Sequence, residues 1–391
     1  MWIIKVVTLA LALASGAMAR GPYGLYGVKI GPATCNVMDY GARGYPRNDT
    51  LAIQSAIDDC GEKGGGKVNI AGKDLFLISA IQISHSNVEL SIASGTTLLI
   101  SNDRASWPGQ RDIITATDIH DVAITGEGTV DGQGAIWWQH RNDFRPKTVM
   151  FHGVTRAYIS GVTFKNPPNH CLEIFADYSE LNSVTVLAPP STHHGANISH
   201  NTDAVDVHGT PFYVHDCYFD TGDDNVAVHA SNVLVEDCVF GSGHGGSIGS
   251  LCQDYLSNIT FRNITFQGTT NGARVKVVSD CPAGSLSNVV YENLTMEGVQ
   301  NPIEVSVFYD AMSAVNFSIS NITFRDIISH GSEIAGTFSC SDKSPCKNLR
   351  FENVKIQGFS EWTCASGGKG CDCFSYASGS SIGSAPTPCF S

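Results

Sequence analysis

Apolar and polar positions alternate along most of this chain in strand-sized runs of Val, Ile, Thr and Phe, each broken by Gly, Asn or Asp. Such alternation predicts β-strands with one buried face. The C-terminal half also repeats itself. Asn258-Ile-Thr-Phe-Arg-Asn263-Ile-Thr-Phe is followed by Asn288-Val-Val-Tyr-Glu-Asn293-Leu-Thr-Met, by Phe317-Ser-Ile-Ser-Asn-Ile-Thr-Phe324 and by Asn348-Leu-Arg-Phe-Glu-Asn353-Val-Lys-Ile. The second asparagines fall at 263, 293, 321 and 353, a period near thirty. Earlier segments, such as Asp121-Val-Ala-Ile-Thr and Val233-Leu-Val-Glu-Asp-Cys-Val-Phe, keep the rhythm on shorter turns.

No single run of this kind can bury a face alone, but coil stacked on coil can, which is the logic of a solenoid. The pattern predicts an all-β chain folded as a right-handed, single-stranded parallel β-helix over residues 20–363. A β-propeller would repeat at about forty residues or more. The one stretch with helical spacing, residues 49–60, carries Leu51, Ile53, Ala56 and Ile57 and is expected to cap the N-terminal end. Residues 364–391 are rich in Gly and Ser and hold cysteines 364, 371, 373 and 389, which suggests a stapled cap.

Composition narrows the setting. Residues 1–19 have a positive flank at Lys5, an apolar stretch from Val6 to Ala14, and Ala17-Met18-Ala19 for cleavage, as in a secretory signal. No run is long enough to cross a bilayer. All 13 cysteines follow that segment, which fits an oxidising, extracellular destination, and the odd count leaves at least one thiol unpaired or paired between molecules. The net charge of −13, with no basic stripe, argues against a nucleic-acid partner. A monomer without a cofactor is expected.

Four polar clusters then stand out in order: Asn201-Thr202-Asp203, Gly222-Asp223-Asp224, Gly243-His244-Gly245 and Arg274-Val275-Lys276. Asp203 and Asp223 are twenty residues apart, as are Asp224 and His244, close to one short coil. Neighbouring coils lie about 4.8 Å apart, so these side chains can meet on one face. Paired carboxylates suit glycosidic hydrolysis, one protonating the leaving oxygen and another activating water. Arg274 and Lys276 project from the same side of a strand and suit an anionic sugar. Taken alone, each Asp fits an ordinary turn, Arg-x-Lys a solvated surface and Tyr309 a packed aromatic. His193, His194 and His200 lack the Cys or carboxylate spacing of a metal site, so no metal is assigned. Seven Asn-x-Ser/Thr sequons (48, 197, 258, 263, 293, 316, 321) offer glycan acceptors, although the repeat itself also calls for Asn at a turn.

The ordered series resembles the signature of the polygalacturonases, family 28 of the glycoside hydrolases. Gly126-Glu-Gly-Thr-Val-Asp-Gly-Gln-Gly-Ala-Ile-Trp-Trp138 and Ser247-Ile-Gly-Ser-Leu251 extend the match. The resemblance implies a parallel β-helix and inverting, metal-free hydrolysis of α-1,4-linked galacturonan in pectin. It implies Asp223 as general acid, Asp203 and Asp224 as activators of water, and His244 as the support of the acid's hydrogen-bond network. Arg274, Lys276, Tyr309 and Asn201 would bind substrate. Ala204 stands at the family's usual glycine and Val275 at its usual isoleucine. Asn225 replaces a cysteine common in endo-acting members, and Phe240 sits where its disulfide partner would be. Asn225 and Gly272-Ala-Arg-Val-Lys-Val277 look more like exo-acting members. His208 is unusual and is a candidate for shaping a subsite. A calcium-dependent pectate lyase, a hydrolase of substituted galacturonan and a non-catalytic carbohydrate-binding β-helix are the alternatives.

Overall fold

A computed structural model describes residues 23–140, 142–189, 199–309, 316–340, 346–358, 363–364 and 374–376. The proposed signal segment, His193, His194, Asn197 and most of the Cys-rich tail lie outside them. Strands pair with the strand one coil away, and every registered pairing is parallel. Each coil contributes up to three strands, as in Leu172–Asp177, Ser179–Asn182 and Thr185–Leu187. The molecule is thus the parallel β-helix that the alternation predicts. Thr363–Cys364 and Phe374–Tyr376 add to the same stack at its C-terminal end.

The repeats follow from the corners between strands. Asn258, Asn263, Asn288, Asn293, Asn321, Asn348 and Asn353 all have φ between 52° and 62°. Asn tolerates this left-handed backbone better than most residues, because its short amide bonds locally. Here the amides also stack. Asn293 donates to Asn263 at 2.8 Å, Asn348 to Asn321, and Asn353 to Asp326 at 2.7 Å. Four sequon asparagines (258, 263, 293 and 321) therefore have a structural reason to be Asn.

Alternate residues of each strand point inward and fill the coil. Phe261, Tyr291, Phe324 and Phe351 stack from coil to coil with centroids 5.0, 5.6 and 5.1 Å apart. The helix Thr50–Glu62 covers the N-terminal end and buries Ile53, Ala56, Ile57 and Cys60, the last bonded to Cys35. Leu51 departs from expectation at 82% exposed. Two residues along a helix is roughly half a turn, so Leu51 and Ile53 cannot share a face. Disulfides also join Cys252 to Cys281 and Cys340 to Cys346, while Cys171, Cys217 and Cys238 are buried thiols.

Candidate active site

One strand per coil builds the site. Val205–Val207, Val226–Val228, Gly246–Leu251 and Asn271–Val277 lie side by side, with Asp206, Ala227, Ser247 and Arg274 in one register row. Each strand's Val or Ile side chains enter the core, so the residues between them, and those just before each strand, face outward. Extending the register places Asp203 beside Asp224, and Asp224 beside His244. Asp223 sits one residue out of that row, a detail that the equal twenty-residue intervals concealed.

The three carboxylates have different surroundings. Asp223 accepts the backbone N–H of Asn201 at 3.1 Å and that of Asp224 at 2.9 Å, and its Oδ1 lies 2.9 Å from His244 Nδ1. Asp224 is buried and meets Lys276 Nζ at 2.5 Å, Ser247 Oγ at 2.8 Å and Arg274 Nη1 at 3.7 Å. Asp203 is buried too, yet its Oδ1 has no hydrogen-bond donor; the nearest cation is His170, with Nε2 at 3.6 Å. Burial, reinforced by the charge of Asp223, raises the Asp203 carboxyl well above the usual range, while His170 opposes them. At Asp223 burial also pushes upward, but the hydrogen bond from His244 and the charges of His244 and Lys276 hold this carboxyl low. For His244, burial is outweighed by Asp223, which raises the imidazole above 6.5. The proteins's own field thus sets two neighbouring carboxylates apart, one favouring its proton and one its charge.

Arg274 and Lys276 project together, as two-residue spacing in a strand requires. The ring of Tyr309 lies 5.2 Å from each cationic head. Arg274 also donates to Glu304 at 2.7 Å from the next coil. Tyr309 is 43% exposed, so its outer face is available to a ligand. Asn201 supports Asp223 through its backbone, while Arg145 donates to its side-chain Oδ1 at 2.9 Å. Asn225 and Phe240 fill their positions in other ways than a disulfide. Asn225 donates to Phe219 O and Ser242 O and accepts the Gly245 N–H. Phe240 packs between Phe219 and Phe266.

Several site residues escaped the sequence reading: His170, Glu173, Arg145 and Asp206; Ser247 was read only as part of a motif. His170 sits opposite Asp203 on the preceding coil, which is longer than the two coils that follow, so no constant spacing exposed it. His208 stacks between Phe175 at 3.9 Å and His229 at 4.6 Å, forming a row of rings beside the acids. Burial, with help from His229, pushes the His208 imidazole down to about 4. His200 is buried rather than solvated. Three groups bring possible metal ligands within 4.8 Å of one another: Asp206/His208/His229, His170/Glu173/Asp206 and Asp223/Asp224/His244. The His208 and His229 rings lie nearly parallel at 11°, so no single ion could sit in both ring planes. In the other two groups the histidines already face carboxylates as ion-pair partners.

A sequence profile of the glycosyl hydrolases family 28 matches residues 60–373. An Arabidopsis thaliana protein described as a probable polygalacturonase is 30% identical over 277 residues, covering 66% of this chain and 59% of the relative. An Aspergillus oryzae protein described as a probable endo-xylogalacturonan hydrolase is 28% identical over 243 residues, 59% of each chain. The chain thus spans about three-fifths of the length of these two relatives. The solved polygalacturonase of Erwinia carotovora ssp. carotovora superposes with a TM-score of 0.73 at 25% identity, covering 89% of this chain and 97% of that one.

Proposed function

Since the chain belongs to family 28 of the glycosyl hydrolases, we propose that it hydrolyses α-1,4-galacturonosidic bonds of pectin with inversion. The observation that carries this reading is one outward face holding Asp203, Asp223, Asp224 and His244 beside the Arg274–Lys276 pair. Asp223 serves as general acid and His244 supports it, while Asp203 and Asp224 activate the water. The protein's own field favours the proton on Asp203, so acid catalysis requires its transfer to Asp223. A galacturonate carboxylate paired with Arg274 and Lys276 would offset the cationic charge that holds Asp223 low, and so favour that transfer. Tyr309 would flank the bound sugar, and Asn201 would contribute mainly by holding Asp223. The cations are the feature that selects an acidic polysaccharide.

Asn225 in place of a cross-link, together with 272–277, supports removal of single residues from a chain end. Three disulfides, and the signal-like residues 1–19, support action outside the cell. Among the described residues no helix is long and apolar enough to cross a membrane. Product analysis on polygalacturonic acid tests the reading. Monomer alone from the first minutes means exo action, and a ladder of oligomers means endo. Unsaturated, ultraviolet-absorbing products that disappear with chelator would replace hydrolysis by elimination. The Aspergillus likeness makes xylose-decorated galacturonan the second substrate to assay.

A further inference from the structure

Of the three acids Asp203, Asp223 and Asp224, two have donors of their own. Asp223 has two backbone N–H groups and His244; Asp224 has Ser247, Lys276 and Arg274. Asp203 Oδ1 has none among the described residues, although it is buried next to both. The group it faces is His170. The register that pairs Leu172 with Val205 also sets His170 against Asp203, and the Cys171 N–H donates to Asp203 O at 2.8 Å, fixing the alignment. His170 Nε2 lies 3.6 Å from Asp203 Oδ1. On the other side of the ring, Nδ1 lies 3.2 Å from Glu173 Oε2 and 3.2 Å from Asp206 Oδ2.

A neutral imidazole has one N–H and one lone pair. With carboxylates on both edges, either neutral tautomer would turn a lone pair toward a carboxylate. Only the doubly protonated ring presents N–H to both sides. We propose that His170 is a positioning residue whose imidazolium, anchored by Glu173 and Asp206, is the counter-charge to Asp203 and stabilises the ionised form in which Asp203 accepts a proton from the attacking water.

The surrounding charges leave this part to His170. Lys147 meets Glu173 at 2.5 Å from a neighbouring coil and so belongs to Glu173. Asp112 lies within the field of Lys147, Glu173 and His170. Asp223 and Asp224 both oppose the ionisation of Asp203. Arg145 is engaged by Pro168 O, His200 O and Asn201. Beyond Glu173, His208 is held neutral by burial. His170 is therefore the cation that faces Asp203. Burial works against its charge, but Asp203, Asp206 and Glu173 outweigh it and raise the imidazole well above 6.5.

This inference rests on the reading of Asp203 as a base, and two measurements separate its failure from the failure of that reading. The first needs no substrate: titration of the His170 ring protons by NMR in the unmodified protein and in Asp203→Asn. The ring is expected to stay protonated well above pH 6.5, and to lose its proton at lower pH once Asp203 is neutral. Titration near 6.5 in the unmodified protein, or indifference to Asp203→Asn, overturns the proposal whatever the substrate proves to be. The second is the pH dependence of kcat on polygalacturonate. His170→Gln should lower kcat about tenfold at pH 5 with KM nearly unchanged, and move the acidic limb up by about one pH unit. His170→Lys, which keeps a positive charge, should restore the limb. An unmoved limb in a folded His170→Gln overturns the proposal while leaving the hydrolase reading intact.

Discussion

Replacing Asn225 by Ala tests how the turn that carries His244 is held. The Asn225 side chain is fully buried and makes three hydrogen bonds: to Phe219 O at 2.9 Å, to Ser242 O at 3.0 Å, and from the Gly245 N–H at 2.9 Å. The last two tie the Gly222-Asp223-Asp224 turn to Gly243-His244-Gly245 on the next coil, and the first holds the turn to its own coil. Asn225→Ala removes all three and leaves their backbone partners without this partner. At about 1 kcal/mol for each neutral bond the loss is roughly 3 kcal/mol. Unfolding entropy of about 2.1 cal/mol/K per residue gives roughly 0.8 kcal/mol/K for this 391-residue chain, so Tm should fall by about 4 °C. Catalysis should suffer more than stability. The Gly245 N–H bond adjoins His244, whose Nδ1 lies 2.9 Å from Asp223, and a displacement of about 1 Å in such a constellation costs on the order of 100-fold in rate. Thermal melts followed by circular dichroism, with reducing-sugar release on polygalacturonate, measure both quantities. A variant that melts within about 1 °C of the parent and keeps its kcat would show that these bonds are dispensable, and the reasoning would be wrong.

Asp223→Asn should abolish turnover yet leave binding of galacturonate oligomers measurable by calorimetry, since it removes a proton donor without removing Arg274 or Lys276. Lys276→Ala should raise KM, and it should also lower Tm, because Asp224 loses its 2.5 Å partner while remaining buried. Glu173 governs acid sensitivity. Burial pushes its carboxyl up, but the hydrogen bonds from His170 and Lys147 bring it down to about 2 from 4.5. A depressed carboxyl stabilises the fold above its unfolded pKa and loses that contribution as pH falls toward the folded one. Denaturant melts of the parent should therefore weaken between pH 4.5 and 2, and Glu173→Gln should flatten that decline. An equal decline in the variant would place the acid-sensitive group elsewhere.

What the chain discloses about itself depends on whether the relevant spacing is constant. The C-terminal coils repeat near thirty residues because each needs a left-handed asparagine at the same corner, and those corners are the Asn263, Asn293, Asn321 and Asn353 of the sequence. The fold was legible for that reason. Asp203, Asp223, Asp224, His244, Arg274 and Lys276 were legible because short coils bring them into neighbouring rows, and because their types suit one chemistry. Local detail was not. Twenty-residue intervals suggested that Asp203 and Asp223 are register partners, whereas the stack pairs Asp203 with Asp224. That shift of one residue turns Asp223 toward His244 and the Asn201 N–H, and leaves Asp203 Oδ1 without a donor among the described residues. His170 was invisible for the complementary reason. It sits opposite Asp203 only because the preceding coil is thirteen residues longer than the twenty-residue interval, so a reader counting short coils looks for it in the wrong place. In a solenoid the length of a loop changes which side chains become neighbours without changing the strands that carry them. A residue's partners must therefore be read from register, and two chains that keep the same four motifs can still differ in the charge that faces the aspartate of the first motif.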